Sequence, residues 1–163
     1  MNAKDVIKNN FESAVFVMST YLNDLTDQDL LIRPNPSANH SAWQLGHIIS
    51  SGNQMLNCLA TGVAPTLPAN FQDQYHKENA TENSAEKFHT KAQYLELFNK
   101  QKLALAAALE KLSDSDLDTP APESMRSYAP TLGMVALLMG GHIMMHTGQV
   151  AVLRRMLNKP IVM

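Results

Sequence analysis

Apolar residues at three- and four-residue spacing, broken by proline-bearing stretches, constrain this chain more than any other feature. Val6, Ile7, Phe11, Ala14, Val15, Met18, Leu22 and Leu25 share one face of a 3.6-residue period and predict a first helix ending near Asp24. Arg33-Pro-Asn-Pro36 stops it from continuing, and Asn39 or Ser41 offers a side-chain oxygen to cap a second helix from Ser41 to Ala60. Thr61-Gly62 closes that helix. Pro65, Pro68, Asn70 and Asn79 fill residues 62–83 with little periodicity, which reads as a long loop. Ser84 opens a third helix, rich in alanine and leucine, that runs to Leu112. Thr131 caps a fourth reaching Asn158, with Arg154, Arg155 and Lys159 near its negative end and Pro160 beyond it.

No stretch alternates as a strand would, so the expected fold is all-α, a four-helix bundle forming a single domain over residues 1–163. The connections exceed the few residues that join antiparallel neighbours, which allows crossover connections along the bundle. Leu25-Thr-Asp-Gln-Asp-Leu30 and Leu112-Ser-Asp-Ser-Asp-Leu117 follow the first and third helices. This echo reads either as two related helix pairs or as good local chemistry for leaving a helix.

Charge excludes some partners. A net charge of -2 with 17% charged residues gives no basic field for nucleic acid or an anionic membrane surface. The longest apolar candidate, Thr131 to Met145, falls short of the roughly 18 residues a membrane span requires. Lys4, Asp5 and Lys8 interrupt any leader-like apolar run, and the lone Cys58 provides no disulfide framework, so a cytoplasmic protein is expected.

Within the fourth helix, His142 and His146 lie four residues apart on the stripe that also carries Val135, Leu138, Met139, Val150 and Leu153. Each imidazole has two ring nitrogens to satisfy, and two of them stacked in an apolar seam are costly unless something organises them. A metal ion does so. His47, among apolar neighbours in the middle of the second helix, supplies the third ligand if the bundle brings it opposite the pair. Three imidazoles leave a coordination position open, as in catalytic rather than structural zinc sites. Without a carboxylate or thiolate ligand the ion keeps its full charge and favours an anion there. The site would suit a metal-bound thiolate or hydroxide equally well. His142-Ile-Met-Met-His146 lacks the glutamate of the His-Glu-x-x-His protease motif.

Ser41-Ala-Trp-Gln-Leu-Gly-His47 and His142-Ile-Met-Met-His146-Thr-Gly-Gln149 resemble the histidine segments of the DinB-like (DinB and YfiT-like) family of metalloenzymes. The resemblance implies a four-helix bundle with crossovers, frequent homodimers, and zinc or nickel bound at His47, His142 and His146. It further implies a small-molecule substrate. Some relatives are transferases or isomerases that use a low-molecular-weight thiol. Thr147 stands where many relatives carry arginine, so an anion-binding role there is not carried over.

Other residues have weaker assignments. Trp43, one turn before His47, either walls the pocket or packs in the core. Gln149 is a candidate hydrogen-bond partner for a ligand or bound water. His40, just before the second helix, reads as a solvated cap-region residue or one at the pocket mouth, and His76 and His89 read as surface residues, while Cys58 lies roughly 16 Å along the helix from His47 by the helical rise. With Phe71, Tyr75 and His76, the long loop is either a lid over the bundle's open end or an ordinary connection. Gly140-Gly141 marks either tight helix packing or room for a ligand or a second subunit.

Overall fold

The computed structural model describes residues 1–163 and is all helical, without a strand. Four long helices form the bundle: α1 (Ala3–Leu22), α2 (Ser41–Leu59), α4 (Lys91–Lys111) and α6 (Leu132–Met156). Two single-turn helices, α3 (Phe71–Gln74) and α5 (Asp114–Leu117), lie in the connections. The buried apolar side chains make one contiguous core.

Side-chain contacts fix the direction of each long helix. Asn10 donates to the Leu137 carbonyl, Met18 meets Thr147, and Arg154 reaches the Tyr21 carbonyl, so α1 and α6 run parallel. Gln44 meets His146 while His47 meets His142, so α2 runs against α6. Lys91 at the start of α4 meets the end of α1, and Glu110 near the end of α4 shares a cleft with Asp5, so α4 runs against α1. Going round the bundle the order is α1, α6, α2, α4, which sets α1 diagonal to α2 and α4 diagonal to α6. The chain therefore goes up, down, down and up, and the segment from α2 to α4 must return along the whole length of the bundle. This is the crossover that the long connections allow.

That returning segment, residues 60–90, climbs alongside α2 in the opposite direction. Asn53 donates to the Pro65 carbonyl at 2.7 Å, the Tyr75 ring lies against Gly46, and His40 donates from Nε2 to the Glu82 carbonyl at 3.0 Å. Arg33 fastens its upper end with bonds to the Asn83 side chain and to the Ala38, Ala80 and Glu82 carbonyls. Lys91 then spends its ammonium on the carbonyls of Leu22, Asn23 and Leu25, satisfying groups that the end of α1 leaves without helical partners.

Three expectations change in detail. The third long helix begins at Lys91 rather than Ser84, because Ser84 gives its hydroxyl and N–H to Glu82, whereas Thr90 and Gln93 form a reciprocal cap. α2 is capped by His40, whose Nδ1 accepts from the Trp43 N–H at 3.1 Å, rather than by Asn39 or Ser41. The fourth helix is long and apolar enough to cross a membrane by length and composition, contrary to the estimate from Thr131 to Met145, although it packs on α1 and α2 within the bundle. The Leu-x-Asp-x-Asp-Leu echo has a local cause. Thr26 with Asp29, and Ser113 with Asp116, each exchange backbone-to-side-chain hydrogen bonds in both directions.

Gly140 and Gly141 part ways. A Cβ on Gly140 would stand 2.1 Å from the Asn10 amide, whereas one on Gly141 would meet nothing within 4 Å. The first is thus set by close approach of α1 to α6. Gly140→Ala is expected to lower stability by about 1–3 kcal/mol despite alanine's better helix propensity. Urea unfolding of the two proteins measures the difference.

Candidate metal centre

The sequence delivers three histidines to one level of the bundle through two helices. On α6 the four-residue spacing stacks His142 and His146 on the side facing α2, and antiparallel packing brings His47 opposite them. One candidate ligand nitrogen from each ring lies within 4.8 Å of the other two. The Nε2 atoms of His142 and His146 are 3.2 Å apart, and the His47 ring stands edge-on to His142 at 5.2 Å between centroids. His146 is buried, while His47 and His142 are partly exposed, so the group sits at the border of the core with one side toward solvent.

Burial decides the charge of the group. Desolvation, followed by repulsion from His142 and His47, pushes the His146 pKa down to about 3. Desolvation and then His47 push that of His142 down to about 4. His47 is lowered too, again first by burial, with a backbone contribution from Tyr75 acting the other way. All three rings are therefore neutral at pH 7, the form in which imidazole offers a lone pair to a metal.

The walls come from α2 and the returning segment. Trp43 is both core residue and wall: it is buried and stacks on His47 with centroids 4.9 Å apart and planes within 6° of parallel. Its Nε1 is buried without a hydrogen-bond partner. A Cβ on Gly46 would lie 2.2 Å from the Tyr75 ring, so only glycine lets the returning segment seat Tyr75 beside His47. The Tyr75 hydroxyl in turn bonds His89 Nδ1 and the Tyr94 hydroxyl, each at 2.7 Å. Phe71 and Tyr75 are both buried, which makes this part of the long loop a packed wall.

Several assignments resolve differently from the sequence. Gln149 is exposed and makes no side-chain hydrogen bond; the glutamine that touches the triad is Gln44, with Oε1 3.1 Å from His146 Nδ1. Gln44 also donates from Nε2 to the Asn39 carbonyl at 2.7 Å. Its sequence signal was its place on α2 three residues before His47, but its partner lies 102 residues away. Tyr75 could have been sought through Gly46, a costly residue inside a helix. His40 is wholly buried as a cap, and His89 is partly buried against the tyrosines, so neither is the solvated residue expected; His76 is exposed. Thr147 turns away from the triad and bonds the Ile143 carbonyl and Met18 sulfur.

Fold and site together define a class: helical bundles whose three inward histidines could hold a metal ion. The DinB superfamily profile matches residues 11–150, and the chain belongs to that superfamily. A crystal structure of a conserved protein from Enterococcus faecalis has the same fold, with a TM-score of 0.71 at 16% identity, covering 98% of this chain and 99% of that one. No curated protein matches the sequence.

The depressed pKa values have a thermodynamic sign. Unfolded, the histidines take up protons near pH 6.5; folded, His142 and His146 resist until about 4 and 3. Their contribution is intact above pH 6.5 and is lost as pH falls toward those folded values. Between pH 6 and 5, metal-free protein should lose up to about 1.4 kcal/mol per pH unit for each of the two rings. Urea titrations in chelator should show this slope flattened in His142→Leu and His146→Leu variants.

Proposed function

We propose that His47, His142 and His146 hold one divalent metal ion, zinc or nickel, and that the protein is an enzyme activating a thiol or water nucleophile against a small-molecule substrate. The observation that carries this reading is the convergence of three neutral imidazoles whose ligand nitrogens lie within 4.8 Å of one another. The donor set fits a borderline metal such as zinc or nickel, for which imidazole is a common ligand. When bound, the ion would supply Lewis acidity and an open position for an anion. This chain's residues do the rest: the helices fix the imidazoles, and Trp43 and Tyr75 wall one side. A low-molecular-weight thiol suits such a site because a metal-bound thiol loses its proton without a separate base.

A non-catalytic metal-binding protein is the second reading. Supporting it, two prominent clefts are lined by the returning segment and its neighbours, not by the triad. Elemental analysis of untagged protein should give about one metal ion per chain, and the His47→Ala/His142→Ala/His146→Ala variant should give none. Trp43 is the sole tryptophan and stacks on His47, so adding nickel or cobalt to the metal-free protein should quench its fluorescence in the wild type only. Thiol-dependent turnover of model electrophiles by loaded protein would separate the enzyme from the binding protein.

We also propose a homodimer through the outer face of α6. Exposed Met134, Gly141 and Gly148 repeat every seven residues, as do exposed Leu137 and Met144, giving one helix both apolar knobs and glycine hollows. Such a face is complementary to a copy of itself about a twofold axis. Met144→Glu is expected to shift the sedimentation mass from two chains to one.

A further inference from the structure

Gln44 is buried, uncharged and bonded at both ends of its amide. The Asn39 carbonyl can only accept, so the group at 2.7 Å from it is the amide NH2, and Oε1 must be the atom turned toward His146. That oxygen is itself an acceptor, so His146 Nδ1, at 3.1 Å, must carry the ring proton. His146 being neutral, Nε2 is then left with its lone pair, and Nε2 is the atom that faces His142 Nε2 at 3.2 Å. A hydrogen-bond chain anchored on the main chain before α2 thereby dictates which nitrogen of an α6 histidine is free to bind.

We propose that Gln44 is a positioning residue that locks His146 in the Nδ1–H tautomer, and that its lack of charge is a specificity determinant favouring an anionic ligand at the metal. The first half rests on the hydrogen-bond geometry of Asn39, Gln44 and His146, together with the neutrality of the buried ring, and needs no metal. The second rests on the metal-binding reading above: no carboxylate bonds any of the three imidazoles, so nothing beside them offsets the charge of a divalent ion. A carboxylate in place of the amide would push charge through His146 onto the metal, improving the histidine as a ligand while weakening the pull on an incoming anion. The amide gives orientation without that cost.

Nitrogen-15 NMR of the metal-free protein tests the lock directly. The wild type should show His146 as the Nδ1–H tautomer, and Gln44→Met should lose that fixed assignment; Nε2–H at His146 in the wild type would overturn the proposal whether or not any metal binds. Cobalt affinity, measured by chelator competition, should fall about ten- to a hundredfold in Gln44→Met and recover in Gln44→Glu, which restores an acceptor. Azide titration of cobalt-loaded protein, followed in the visible spectrum, should give weaker azide binding to Gln44→Glu than to wild type at equal cobalt occupancy. Chemical unfolding of each metal-free variant establishes that it is folded. Equal cobalt affinity in Gln44→Met would refute the positioning role, and equal azide affinity in Gln44→Glu would refute the charge argument. A wild type with the expected tautomer that takes up no metal would remove the metal reading and leave the lock standing.

Discussion

Keeping three imidazoles uncharged at the edge of an apolar core is a demand that the rest of this bundle has to meet. A proton on any one of them would be poorly solvated and would oppose a second proton on either neighbour, as the lowered pKa values of His142 and His146 express. The arrangement survives because each helix involved is fixed independently of the site. α6 lies so close to α1 that Gly140 leaves no room for a side chain beside Asn10, and Arg154 is buried between Asp24 and the Tyr21 and Pro160 carbonyls. α2 is held by its His40 cap, by the Gln101 amide bonded to Ile49 and Asn53, and by the segment that climbs beside it. The histidines ride on elements placed by other contacts.

Much of this is legible in the sequence. The bundle followed from period and prolines, and the triad from two histidines replacing apolar residues on one stripe plus a third on another. In both cases the information is local: a helix face is written within seven or eight residues. What the sequence does not display depends on residues distant along the chain. Gln44 and Gln149 are the same amino acid, each three residues from a triad histidine, and only helix orientation shows that one meets His146 while the other meets solvent. His40 and His89 looked like surface histidines because their partners, the Trp43 N–H with the Glu82 carbonyl and the Tyr75 hydroxyl, become neighbours only once the return path of residues 60–90 is known.

The direction of that path also escaped the sequence. A proline-bearing stretch without periodicity announces a loop, but not that it ascends one helix with a contact at each level. Gly46 carries the information in negative form: it shows that something approaches α2, without saying that it is Tyr75. Reading the capped repeats after α1 and α4 as shared local chemistry proved sufficient, since Thr26–Asp29 and Ser113–Asp116 build the same reciprocal pairing at two unrelated places.

The parallel pairing of α1 with α6 has a bearing on how the molecule comes into being. These helices make the most extensive contact in the bundle, yet more than a hundred residues separate them. While the chain emerges from the ribosome, α1 must wait with the apolar side meant for α6 uncovered, and the triad stays incomplete for the same interval because two of its members belong to α6. Closing so long a loop is slow relative to forming the helices themselves, and exposed apolar surface invites aggregation in the meantime. The arrival of one late helix thus completes the core and assembles the histidine site in a single event.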